Sequence, residues 1–351
     1  MAGAIWVLGA TGRVGREAVT LLRKAGAEVV VTGRDRERLA RVFPDVRSVT
    51  GPFDEVCARL AAERPAVVIN TVGPFTATAP EVVRACPPGT CYVDVANELG
   101  AFELLHALDG EAAATGRTLV SGAGFGVLAT ESILLHLLAG EEKPSRVRVD
   151  AVASVAIEAG ALGEALAATI VHTMRDGGRE VRQDRLVRTR PGRAAERLTT
   201  PEGDVVTTAA LGSGELFAAW RASGAPSVIG ASVLVPANPV VRAALPAVVG
   251  LLRLPGVAGF AAGRLARATT TTARERPRRS SWARARVEWP SGRVREGWLR
   301  TGEAMTFTVE AVAEVARRLA GGEGRPGAFT PARLLGPEVA LAAGAEFQVT
   351  R

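Results

Sequence analysis

Lysine, tyrosine and cysteine are scarce in this chain. Among its 351 residues the lysines are Lys24 and Lys143, the tyrosine is Tyr92, and the cysteines are Cys57, Cys86 and Cys91. Proton transfer by a Tyr-x-x-x-Lys pair needs a lysine four residues after the tyrosine, and position 96 is Ala, so that chemistry is excluded. The cysteines have no paired spacing, which excludes a disulfide framework and fits a reduced interior. Neither they nor the histidines His106, His136 and His172 have metal-ligand spacing, so no metal is expected. No uncharged apolar run reaches about 18 residues, so no membrane span is expected. The N-terminus leads straight into a strand pattern, so no signal peptide is expected and the chain reads as cytoplasmic. With lysine nearly absent, the net charge of +7 and pI of 10.4 come from arginine. The arginines alternate with acids along most helices, so nucleic acid is not the expected partner. The hydrophobic share of 47% marks an ordered globular chain, long enough for two lobes.

What is present is organised around Gly9-Ala10-Thr11-Gly12-Arg13-Val14-Gly15. It follows the apolar run Ala4–Leu8, read as a buried strand, and precedes apolar residues at helical spacing. Strand, glycine turn and helix in that order point to dinucleotide binding. Gly9 would allow the tight turn, Gly12 the approach of a pyrophosphate, and Gly15 close packing of helix on strand. The helix N-terminus would hold the anion. A second strand, 28–34, ends in Thr32-Gly33-Arg34-Asp35. A cation at the end of this strand suits a 2′-phosphate, which favours NADP over NAD. Asp35 is read as the cap of the next helix, 36–43. The short strand 66–70 runs into Asn70-Thr71-Val72-Gly73-Pro74-Phe75, beyond a strand's carboxyl end and so beside the cofactor. Strands 91–95 and 117–121, with helices 53–63, 80–86, 101–115 and 127–138, complete a βαβα alternation. Its near-continuous apolar strands predict an α/β, Rossmann-like, doubly wound parallel sheet.

Four elements carry a resemblance: the glycine turn, Asn70–Phe75, Tyr92-Val93-Asp94-Val95-Ala96-Asn97-Glu98, and Gly124-Phe125-Gly126. Together they resemble the saccharopine-dehydrogenase-like oxidoreductases, relatives of which include saccharopine reductases and trans-acting enoyl reductases. Thr306–Thr308, the helix 309–319 and the stretch 321–331 resemble the family's closing element. Asn97 stands where the family has Gly, and Gly126–Glu131 lacks the family's Asp and Pro. The resemblance implies that Asp94, Gly124 and Phe125 lie near the nicotinamide. It also implies an NADP(H)-dependent reductase passing hydride to a C=N or activated C=C bond of a small metabolite. The alternatives are an enoyl reductase on a carrier- or CoA-bound acyl chain and a catalytically inactive NADP-sensing regulator.

Residues 1–143 are read as the cofactor lobe and 144–325 as an antiparallel-rich α+β lobe for substrate and dimerisation. By the resemblance, 326–351 packs back on the first. In the second lobe the pattern gives strand 147–157, helix 162–174, an Arg-rich loop or lid at 179–200, strand 227–235, a broken apolar helix at 240–268, and the strand pair 282–289 and 294–300. In that broken helix, core or dimer packing is preferred to a membrane surface. Candidate proton donors are His172, on a substrate-lobe helix, and Glu98 and Glu131, which follow strand ends. His106 and His136 are read as structural. Arg264, Arg267, Arg274, Arg276, Arg278, Arg279, Arg284 and Arg286 surround the single acid Glu275. They form either a patch for a carboxylate, a CoA phosphate or an acidic carrier, or a solvated loop.

Overall fold

The computed structural model describes residues 3–155, 160–161, 167, 171, 173–236, 238–267, 269–270 and 277–349. The N-terminal apolar run becomes β1 (Ile5–Leu8), with every side chain buried. β2 (Val29–Gly33), β3 (Ser48–Thr50), β4 (Val67–Asn70), β5 (Cys91–Asp94) and β6 (Thr118–Val120) follow, separated by helices. They pair in parallel in the order β3-β2-β1-β4-β5-β6, and Gly327–Phe329 adds a seventh parallel strand beside β6. Helices cover both faces of such a sheet, which is why its strands lack polar alternation. Leu8 at the end of β1 is level with Thr32 of β2 and Asn70 of β4. The strand order reverses between β1 and β4, and in sheets of this kind ligands bind beyond the carboxyl ends at that point.

The second sheet has nine strands. Arg146–Val152 lies at its centre, parallel to Ser227–Ser232 and antiparallel to Ser281–Glu288, which returns as Val294–Thr301. The expected Arg-rich lid at 179–200 is instead sheet. Gly178–Arg182 and Arg185–Thr189 form a hairpin, and Glu196–Thr199 pairs with Val205–Ala210. The hairpin turns at Gln183 and Asp184, both with positive φ (50° and 57°). This two-residue turn geometry usually announces itself with Gly or Asn, and here it carries neither. The apolar stretch near 240–268 is two helices, Pro239–Leu252 and Val257–Ala266, bent by 113°. Among the described residues no single helix is long and apolar enough to cross a membrane.

The two sheets share one core. Thr130–Leu138 and Ala304–Arg318 lie between them, and Ile133, Phe307 and Val312 join Val7 and Ile69 of the first sheet to Val149 and Leu299 of the second. The closing segment divides: Gly327–Phe329 enters the parallel sheet, whereas Glu346–Val349 pairs with Val294–Thr301 in the other.

Candidate active site

Gly9 and Gly15 take the tight-turn and close-packing places their spacing predicts. Gly9 has φ +76°, and a Cβ on it would lie 2.7 Å from the Thr71 hydroxyl. A Cβ on Gly15 would lie 2.5 Å from the Gly9 carbonyl and 3.0 Å from Ala10 Cα, so the helix Arg13–Lys24 (α1) sits directly on β1. Gly12 differs. It caps α1, is exposed, and a Cβ there would meet only the Gly9 carbonyl, at 3.2 Å. A bare, exposed backbone thus stands at a helix N-terminus, hemmed only by the Gly9 carbonyl, where the first N–H groups have no intrahelical partner. Ala10 is buried and Thr11, Arg13 and Val14 half-buried around it, with Arg13 3.9 Å from Glu303. These residues fit a dinucleotide pyrophosphate.

At the end of β2, Thr32 is buried and Gly33 packs on Leu39. Arg34 is exposed. The Asp35 carboxylate accepts the Arg38 N–H at 2.9 Å and so caps its helix. Arg38, which the sequence reading missed, reaches back one turn later to donate to the Thr11 carbonyl at 3.4 Å. Its signal in the sequence is its place in the first turn of the helix that Asp35 caps, just after the strand end that carries Arg34.

Several motif residues read as cofactor contacts are turned inward. Asn70 donates to Thr78 and to the Tyr92 hydroxyl, at 3.1 Å each, and accepts from the Val72 N–H at 3.0 Å. Tyr92 donates to Asp94 at 2.9 Å. Asp94 also accepts from Ser121, Gly122 N–H and Ala96 N–H, at 2.9, 2.9 and 3.0 Å. Burial pushes the Asp94 carboxyl up to about 6, against these four donors. This buried chain ties β4, β5 and the β6 loop together, so Asn70 and Asp94 position the strand ends. Thr71 donates to the Leu8 carbonyl at 2.7 Å, Val72 packs against the core, and Phe75 is buried with Phe102 and Phe217 after the cis Gly73–Pro74 bond. The Phe125 ring is likewise internal, edge-on to Phe307 at 6.2 Å, while its N–H donates to Thr308 at 3.1 Å and Gly124 packs on Thr308.

Beyond the ends of β5 and β6 lies a cluster of acids. Glu98 is fully buried and accepts the Asn97 N–H at 3.1 Å, and its backbone bridges to Ser213. The Gly214 N–H donates to the Asn97 carbonyl at 2.9 Å. Ser213 opens the helix Gly214–Ser223, the first turn of which carries the buried Glu215. Burial raises the Glu215 carboxyl, opposed by bonds from Ser213, its own N–H and Asn97. The Glu215 carboxylate fills the space that a Cβ on Gly126 would take. Asp176 completes the cluster: burial pushes it up to about 6, with Arg179 opposing and Glu98 and Glu103 reinforcing. Glu215 Oε2 and Asn97 Oδ1 are buried and accept no hydrogen bond among the described residues. A buried acceptor left so costs roughly 1–3 kcal/mol, so the cluster suits a ligand that donates protons or carries positive charge. Glu215 was missed because 201–226 shows no motif spacing.

No protein-family model matches the chain, and no curated protein matches its sequence. Among solved structures, the apo saccharopine dehydrogenase (L-Glu forming) of Saccharomyces cerevisiae is similar over 99% of this chain and 100% of its own, with TM-score 0.60 and 14% identity. The fold is that of saccharopine dehydrogenase. A short-chain dehydrogenase from Streptomyces avermitilis is similar over 34% of this chain and 65% of its own (TM-score 0.30, 19% identity). For a short-chain dehydrogenase/reductase from Vibrio parahaemolyticus the shares are 33% and 82% (TM-score 0.30, 14% identity).

Within the saccharopine dehydrogenase fold the remaining candidates fall away from the acid cluster. Both Glu131 oxygens are taken, by the Thr330 hydroxyl and by the Ala332 N–H at 2.9 Å, so it anchors the closing segment instead of meeting a substrate. Burial pushes Glu131 up to about 7, against those two donors and Arg333. An acid raised in the folded state contributes stability below its unfolded pKa and loses it as pH climbs through the folded value. Glu131→Gln can still accept from Ala332 and donate to Thr330. Wild-type stability should therefore fall relative to the variant between pH 5 and pH 8, by at most about 3 kcal/mol. Parallel melting curves across that range would refute the anchoring role.

His172 lies outside the described residues. The His106 ring packs edge-on to Phe217 at 4.6 Å, and burial pushes it down to about 4; His136 stacks on Phe347 at 4.3 Å. The arginine patch is not one surface. Arg284 is buried between Asp150, Glu196 and Glu296, Arg286 pairs with Glu288, and Arg278 donates to the Ala153 carbonyl. Arg274 and Arg276 lie outside the described residues. Among those residues no group of three or more His, Cys, Asp or Glu side chains could hold a metal.

Proposed function

We propose that this chain is an NADP(H)-dependent oxidoreductase that reduces the C=N bond of a small cationic imine. The observation that carries the reading is the exposed, side-chain-free Gly12 beyond the strand-order switch point of a saccharopine dehydrogenase fold. NADPH, when bound, supplies a hydride equivalent at its nicotinamide C4. The first turn of α1 and the Gly12 backbone hold the pyrophosphate, while Arg34 and Arg38 face the 2′-phosphate. Glu98 and Glu215 balance the charge of a protonated imine, and the nitrogen keeps its electron pair as the amine leaves. A C=C bond on an acyl thioester brings no cation to that acid cluster, which favours the imine over the carrier- or CoA-linked enoyl alternative.

The test is NADPH oxidation with cyclic imines and amine–2-oxoacid pairs, beside enoyl thioesters. Turnover of the imines supports the reading. Turnover of the enoyl thioesters alone transfers the assignment to the enoyl alternative. NADPH binding without oxidation by any acceptor identifies a sensor. Arg34→Ala and Arg38→Ala should each weaken NADPH about tenfold while barely affecting NADH. Charge-assisted phosphate bonds reach roughly 1.5–3 kcal/mol, and solvent screening trims exposed ones to the lower end. Equal losses for the two cofactors, by calorimetry, would sink the NADP preference.

A further inference from the structure

The helices Pro239–Leu252 and Val257–Ala266 dock on the second lobe through narrow stripes. The first buries Leu245, Val249 and Leu252; the second buries Ala258 and Ala266. A helix on the surface of a water-soluble lobe is charged opposite its buried stripe. Away from those stripes the segment exposes Val240, Val241, Val248 and Leu251 on the first helix, Leu254 in the connection and Phe260 on the second helix, with Val240 77% and Phe260 72% exposed. Scattered single apolar side chains need no explanation, whereas a run of them over two consecutive helices does.

The charges on this segment have one sign. Residues 238–267 contain no acid and no lysine; their only charged groups are Arg242, Arg253, Arg264 and Arg267. Arg264 and Arg267 are exposed. Arg253 is exposed and leans on the carbonyls of Arg175 and Asp176, both at 3.3 Å. An apolar face flanked only by guanidiniums is complementary to a surface that is apolar beneath and anionic on top. The 113° bend makes the pair a shallow wedge that can lie in such an interface.

We infer that the helix pair 239–266 is a peripheral docking surface for an anionic phospholipid bilayer. Val240, Leu251 and Phe260 enter the headgroup–acyl boundary, and the arginines engage lipid phosphates. This is independent of the proposed reaction.

Sedimentation of the full chain with vesicles decides the matter. The protein should pellet with vesicles of phosphatidylcholine and phosphatidylglycerol, more weakly with phosphatidylcholine alone, and be released by salt. Phe260→Asp and Leu251→Asp should each lower the bound-to-free ratio at least tenfold. Arg264→Ser with Arg267→Ser should remove the preference for phosphatidylglycerol. Phe260→Ser, a milder change at an exposed site, is the second variant, with circular dichroism reporting the fold. Wild-type protein that stays in the supernatant with anionic vesicles would overturn the proposal. So would a stable dimer by light scattering that Phe260→Asp converts to monomer, since the face would then belong to a second copy.

Discussion

A Gly12→Val variant is expected to keep its fold and lose its cofactor. Gly12 sits at φ −73°, where any residue is at ease, and only the Gly9 carbonyl is near the added Cβ. The isopropyl group then occupies the space a pyrophosphate must enter to reach the first N–H groups of α1. NADPH affinity should fall beyond about 100-fold, the loss of two or more charge-assisted bonds, with an unchanged circular dichroism spectrum. The neighbouring glycines provide the contrast. Gly9→Val forces a branched side chain to φ +76°, and Gly15→Val drives one into the Gly9 carbonyl. Both should cost several kcal/mol of stability and fail as folded proteins. If Gly12→Val binds NADPH as well as wild type, the turn is not the phosphate site, whatever the other two variants do.

Glu215→Gln should lower kcat by about 100-fold or more, in the range lost with a preorganised group that stabilises charge at the reacting centre, and leave NADPH affinity unchanged. The amide keeps the volume against Gly126 and can still accept from Ser213 and Asn97, so structure is conserved while charge is lost. The pH profile separates chemistry from packing. Burial raises the Glu215 carboxyl, and its ionised form is the one that balances a cationic imine. In wild type, kcat/KM should therefore rise with pH through a value above the ordinary carboxylate range. In Glu215→Gln that limb should be gone. Glu131→Gln serves as the control, since its oxygens are committed to Thr330 and Ala332, and its kcat should match wild type. A Glu215→Gln enzyme within twofold of wild type, with the acid limb in place, would remove Glu215 from the reaction.

The parallel sheet and the glycine turn are legible in the sequence because each rests on local spacing. Strands covered on both faces read as unbroken apolar runs, a strand–turn–helix needs glycine at fixed offsets, and a strand end is visible where its apolar run stops. The direction of a polar side chain at such an end is not local. Successive residues of a strand point to opposite faces, and whether Asn70 and Asp94 meet a ligand or each other depends on Tyr92, Ser121 and Gly122 brought alongside by β5 and β6. The acid cluster is less local still. Glu215 reaches Gly126 only because the Asn97 carbonyl takes the Gly214 N–H and Glu98 bridges Ser213, pairings between segments that no periodicity relates. Arginines that form a dense basic run in sequence are parted in the same way, Arg284 turning into the sheet to meet Asp150 while Arg279 stays in solvent. Spacing along the chain sets which backbone can form and where it turns. Which buried carboxylates end up together is set by strand pairing across long loops, because only there does the loss of water around each group find its compensating partner.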